Sequence, residues 1–146
     1  MTSQDREIHD SPTDWVAQHV RQYVATDGQE GHVVLGLHNL LLTTLGRKTG
    51  KLRRTALVYA RDGRDYVVIA SNGGATSDPQ WYRNLVAEPK VELQVGSEHF
   101  PAVARPVGPE EYPRLWQLIL DIMPWCADLP PVAGRHIPLV TLTPDA

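Results

Sequence analysis

Beyond Leu40 the apolar runs are short and alternate with polar residues, and that alone removes most folds. "TALVYA", "YVVIA", "KVELQV" and "EHFPAVARPV" read as strands. The turn signals between them are tight: "RDGRD" joins the first two, and Gly96-Ser97 joins the second two. Turns this short connect antiparallel strands only, because a parallel crossover needs a dozen or more residues. "NLLLTTL" is a short apolar run with β-branched residues, bounded by Gly46, and reads as a buried strand. "HIPLVTLTP" supplies a last strand.

Three segments change period. Trp15, Val16, His19, Val20, Tyr23 and Val24 form a helical stripe after "SPTDW", where Ser11 can cap and Pro12 suits the first turn. "QWYRNLVAE" follows Asp78-Pro79 and stops at Pro89. "GPEEYPRLWQLILDIM" carries Tyr112, Leu115, Trp116, Ile119 and Leu120 on one face, with Pro113 in its first turn. The order is helix, three strands, helix, two strands, helix, strand. It predicts a mainly β fold of the α+β class, a small antiparallel barrel with helices outside. Residues 1–10 read as a flexible tail and residues 11–146 as one domain with an N-terminal helix; Pro101 suits an edge or bulge.

Between Thr43 and Thr55 the chain reads "TTLGRKTGKLRRT". Arg47, Lys48, Lys51, Arg53 and Arg54 crowd this loop, and no Asp or Glu occurs from Gly31 to Arg61. Solvated charged faces normally interleave both signs. Like charges this close repel, so the arrangement calls for an anion from outside. Net charge is -3, which argues against nucleic acid and for a small anionic partner. Gly46 and Gly50 let the backbone turn and offer amide N–H groups to an anion. Arg47 and Arg53 can grip it with paired hydrogen bonds, while Lys48 and Lys51 act as mobile charges.

Other chemistries fit poorly. "GRKTGK" has one residue too few for a phosphate-binding P-loop, and Leu52 stands where a magnesium-binding hydroxyl belongs. There is no G-x-S-x-G nucleophile elbow. The six histidines form no close ligand pair, so no metal is expected. Cys126 is the sole cysteine, which excludes an internal disulfide and suggests a reducing, cytoplasmic setting. The N-terminus has no apolar signal core, and no run is long enough to span a bilayer; peripheral membrane contact stays open. A second unusual stretch is "ASNGGATSDPQWYRN", where two adjacent glycines at a strand end let a flat ligand lie on the backbone. Trp81 and Tyr82 taken singly read as core anchors.

"TTxGRKTGxxR", "ASxGGA", "PxWYxNLxAxPxV" and "IPxV" occur in this order from about Leu40 onward. Together they resemble the deazaflavin-dependent nitroreductase and quinone reductase family of actinobacteria. The resemblance implies a split β-barrel of the flavin-reductase, FMN-binding type, and binding of reduced coenzyme F-420. That cofactor is a deazaflavin on a ribityl chain with a phosphate, a lactyl group and a glutamate tail. The phosphate and tail are the anion the basic loop lacks. By the resemblance, Arg47, Lys48, Thr49, Gly50, Lys51 and Arg53 bind them. Ala70, Ser71, Asn72 and Gly73 line the ring, and Trp81 belongs to the cofactor site. Many relatives carry a lysine at the position of Asn72, so one charge is missing here.

The implied chemistry is hydride transfer to a quinone, nitro or other conjugated acceptor, with Ser71 as the catalytic hydrogen-bond donor. No nucleophile is needed. Relatives that activate nitroimidazoles have tyrosines before the last strand. Here Met123, Cys126 and Leu129 fall at those positions, with Trp125 nearby. This less polar acceptor pocket suits a quinone. Two other readings stay open: a non-catalytic deazaflavin carrier, and an FMN-binding protein of the same fold. The protein is a monomer or homodimer on this reading, and the first helix is either a lid or a packing element.

Overall fold

The computed structural model describes residues 8–10, 14–71, 77–131 and 136–145. In chain order the elements are β1 (Ile8–Asp10), α1 (Asp14–Ala25), β2 (Val33–Val34), β3 (Leu37–Leu45), β4 (Leu52–Val58), β5 (Ala60–Asp62) and β6 (Asp65–Ile69). There follow α2 (Gln80–Ala87), β7 (Lys90–Val95), β8 (Glu98–Pro106), α3 (Tyr112–Ile122), a 3-10 turn (Pro124–Asp128) and β9 (Leu139–Pro144). The strands pair in the order β1-β4-β3-β7-β8-β9-β6-β5, with β2 added beside β3. Only the β1–β4 pair is parallel. The sheet curls so that β4 comes against β6, giving a split, half-open barrel.

Alternation along each strand divides the core. Leu40 and Leu42 of β3, Val68 of β6, and Val140 and Leu142 of β9 point into the barrel, where they meet Tyr59, Tyr66 and Leu93. Their neighbours Val67 and Leu139 point outward and pack under α3 against Leu115 and Ile119. Leu41 also points outward, to Val16, Val20 and Tyr23 of α1. The unbroken "LLL" run is therefore a strand covered on both faces.

Helix α1 packs with a narrow stripe. Val16, Val20 and Tyr23 are buried, but Trp15 is 72% exposed and Val24 is exposed too. Trp15 lies about 100° around the helix from Val16, outside the arc that meets the sheet. Ser11 and Pro12 lie outside the described residues.

Several boundaries differ from the sequence reading. Ile8–Asp10, expected within a loose tail, forms β1 by backbone pairing to Leu52–Arg54, which needs no apolar pattern. Strand β3 starts at Leu37, and a two-residue turn joins it to β2. That turn is Leu35-Gly36, with φ of 52° and 80°. Positive φ at both positions is the I′ hairpin geometry, which normally selects Asn-Gly. In the β5–β6 hairpin the turn residues are Gly63-Arg64, since Asp62 pairs with Asp65. Pro101 is not on an edge strand. Its carbonyl accepts from the Asp145 N–H just beyond the β8–β9 ladder, which begins at Ala102, so its missing donor faces the end of β9.

Candidate functional site

The basic turn closes on itself. The Gly46 N–H donates to the Lys51 carbonyl at 2.7 Å, and the Gly50 N–H to the Gly46 carbonyl at 2.8 Å. The Lys51 N–H donates to Thr49 Oγ1 at 3.3 Å. A Cβ at Gly46 would stand 2.9 Å from the Lys51 carbonyl oxygen and 3.0 Å from Thr49 Oγ1, so the turn requires glycine there. The two glycine amides are thus engaged within the turn and do not face an outside anion as the sequence reading expected.

Lys48, Thr49, Gly50, Lys51 and Arg53 are exposed, and Arg47 is half-buried. Arg47 is held by α2. Its Nη1 donates to Asn84 Oδ1 at 2.8 Å and its Nη2 to Gln80 Oε1 at 2.8 Å. The Arg47 N–H also reaches Asn84 Oδ1, at 3.3 Å. Asn84 is buried, and its Nδ2 donates to Thr44 Oγ1 on β3 at 3.3 Å. Among the described residues no carboxylate pairs with Arg47, Lys48, Lys51 or Arg53. Arg54 differs from them in its surroundings. In register, Arg54 lies between the Asp10 position on β1 and Thr43 on β3, with Glu92 of β7 next beyond Thr43.

At the end of β6, where the ring was expected, Ala70 is fully buried and its N–H donates to the Pro138 carbonyl at 2.9 Å. Ser71, half-buried, follows directly at the end of β6. The preceding carbonyl of that segment, Ile137, accepts a 2.6 Å hydrogen bond from the Tyr112 hydroxyl on α3. Burial pushes the Tyr112 phenol pKa up, which keeps it a donor. Tyr112 also stacks on Trp116, with ring centroids 5.9 Å apart. Asn72 and Gly73 lie outside the described residues. Trp81 is partly buried against the barrel core, with its ring edge-on to Tyr82 at 6.4 Å.

The expected acceptor residues come together, but not all as a lining. Met123 and Cys126 are buried among Ile69, Leu139, Leu115 and Ile119, and Leu129 packs against the same group. Ile69 ends β6 just before Ala70 and Ser71, so this apolar group adjoins the end of that strand. Trp125 points away from the core and is 55% exposed. Burial raises the Cys126 thiol pKa, which disfavours the thiolate a nucleophile needs.

Sequence reasoning missed Asn84, Gln80 and Tyr112. Asn84 carried a signal, since "WYxN" is part of the motif, but its partner lies on another element; Gln80 falls on an unspecified motif position. Nothing local marks the Tyr112 bond to Ile137.

Comparison with known proteins agrees with this geometry. The family model for F420H2-dependent quinone reductase matches residues 15–144. An F420H2-dependent quinone reductase of Mycobacterium tuberculosis is 47% identical over 100 residues, covering 66% of this chain and 67% of the relative. Among solved structures, a domain-swapped dimer aligns with a TM-score of 0.68 at 32% identity, over 90% of this chain and 99% of the other. An F420H2-dependent reductase, FDR-A, aligns with a TM-score of 0.65 at 33% identity, over 71% of this chain and 92% of the other. A chain with this split barrel and this motif order, matched from the first helix to the last strand, belongs to the F420H2-dependent quinone reductase family.

Proposed function

We infer that this protein transfers a hydride from reduced coenzyme F-420 to a quinone. The family match over residues 15–144 carries this reading. The residues present suit the cofactor: Arg47, Lys48 and Lys51 in the turn and Arg53 at the start of β4 have no carboxylate partner among the described residues, which fits a phosphate and a glutamate tail. The deazaflavin supplies the hydride and, in the balanced reaction, two electrons and two protons pass from the reduced cofactor to the quinone to give the hydroquinone.

The chain's own share is binding and orientation. The basic turn anchors the charged end. Ala70 and Ser71, with Asn72 and Gly73, receive the ring. Ser71 donates to the acceptor oxygen on which negative charge develops. The apolar wall of Met123, Cys126 and Leu129 keeps water from the acceptor side, and its lack of hydroxyls favours a quinone over a nitroimidazole.

A lipophilic quinone implies contact with the membrane surface at the inner face. Among the described residues no helix is long and apolar enough to cross a membrane. The exposed β2–β3 tip of Val33, Val34 and Leu35, with Trp125, supports a peripheral contact, and co-sedimentation with lipid vesicles tests it. A homodimer rests on the domain-swapped relative, and light scattering after size exclusion tests that.

The decisive experiment is titration with F-420 followed by turnover of the reduced form with menadione. Saturable binding and quinone-dependent oxidation are expected. Binding without turnover across a quinone and enone panel leaves a deazaflavin carrier. A flavin retained on purification points to FMN instead.

A further inference from the structure

We propose that Asn84 and Gln80 are positioning residues that hold Arg47 ready for the anionic end of the cofactor without neutralising it. The proposal rests on the reading that the basic turn binds phosphate and tail. Both acceptors on the guanidinium, each at 2.8 Å, are neutral amide oxygens. A carboxylate at either position would make the same hydrogen bonds more strongly. It would also cancel the charge an anion needs. The amides fix the direction of the guanidinium and leave its positive charge uncancelled.

The direction is set from behind. The Arg47 N–H groups can only donate, so they settle that the Asn84 amide oxygen faces the turn, while its nitrogen donates back to Thr44, buried on β3. The same Oδ1 takes the Arg47 backbone N–H, so one atom restrains both the main chain and the side chain of Arg47. An arginine restrained before the ligand arrives loses less rotamer freedom on binding. The arrangement also joins the two ends of the site. Helix α2 opens with Gln80 directly after the ring-side loop, and its next turn carries Asn84. Placing α2 therefore sets the spacing between ring loop and phosphate turn.

The test uses Gln80→Glu and Asn84→Asp, with Arg53→Glu as a reference. Each protein is titrated with F-420 and with the truncated deazaflavin that keeps the ring and ribityl chain but lacks phosphate and tail. Titrations are repeated over a range of salt. Each new carboxylate is expected to weaken F-420 binding roughly tenfold. It is expected to flatten the salt dependence and leave affinity for the truncated compound unchanged. Gln80 is exposed, so Gln80→Glu remains informative if Asn84→Asp does not fold. Unchanged F-420 affinity in the Gln80 and Asn84 variants, with a loss in Arg53→Glu, overturns the positioning role and spares the tail reading. Equal losses for both compounds reduce the amides to structural supports and overturn it as well. No effect in Arg53→Glu, with no salt dependence, removes the tail reading itself and this proposal with it.

Discussion

The Tyr23 hydroxyl accepts a 2.6 Å hydrogen bond from the Gly96 N–H and donates to the Asn39 carbonyl at 3.1 Å. One phenol thus ties α1 to the β7–β8 turn and to β3. Gly28, just past the helix, approaches so closely that a Cβ there would stand 2.5 Å from the Gly96 Cα. Helix α1 is a docked part of the barrel wall, not a hinged lid.

Burial pushes the Tyr23 pKa up to about 12 from 10.0. The fold therefore favours the neutral phenol. Its contribution is complete below pH 10.0 and is lost as pH rises from there through about 12. The loss is on the order of 2 kcal/mol. Tyr23→Phe is expected to cost about 1–3 kcal/mol at neutral pH, since the Gly96 N–H loses its acceptor. It is also expected to blunt the alkaline decline, leaving the smaller share of Tyr59 and Tyr112, whose pKa values burial also raises. Urea unfolding from pH 7 to about 12 measures both effects.

Leu35 is 97% exposed and holds φ 52°. It makes little packing to offset a left-handed backbone. Leu35→Asn, giving the preferred residue pair for this turn, is expected to raise stability by about 1 kcal/mol. A lower urea midpoint in the variant would contradict the I′ assignment.

Charge reversal in the basic turn, Lys48→Glu or Arg53→Glu, is expected to weaken F-420 binding at least roughly tenfold at low salt. The difference from the parent should shrink as salt rises. Fluorescence titration at two ionic strengths decides it. Thermal stability should hardly change, because both side chains are exposed.

Tyr112→Phe removes the donor to the Ile137 carbonyl while Ala70 keeps its bond to Pro138. Quinone turnover is expected to fall severalfold, with F-420 affinity kept. This follows because the segment that sets the Ser71 end of β6 loses one of its two ties. A drop in affinity for F-420 with unchanged turnover would place Tyr112 on the wrong side of the site.

The parts legible in the sequence share a physical basis. Strands β4, β7 and β8 show through alternation, β6 as a short apolar run after an Asp-Gly turn, and Gly96-Ser97 through turn chemistry. What stayed hidden depends on partners distant along the chain. β1 is three residues long with no alternating apolar pattern, so the sequence does not announce it. Leu35 occupies a position that turn statistics assign to Asn, and the β2–β3 turn is invisible for that reason. Trp15 counted as core by spacing, but the sheet meets only a narrow arc of α1. At the site the basic turn was plain. Its restraint by Asn84 and Gln80 was not, because a hydrogen bond between a loop and a helix leaves no periodic trace.

Leu40 and Leu41 are adjacent in the chain but belong to opposite sides of β3, one inside the barrel and one beneath α1. Losses from trimming each to alanine should simply sum, although neighbouring substitutions usually interfere. The barrel interior and the α1 seat can therefore drift independently over evolutionary time, one methyl group at a time, with the backbone between them as a partition.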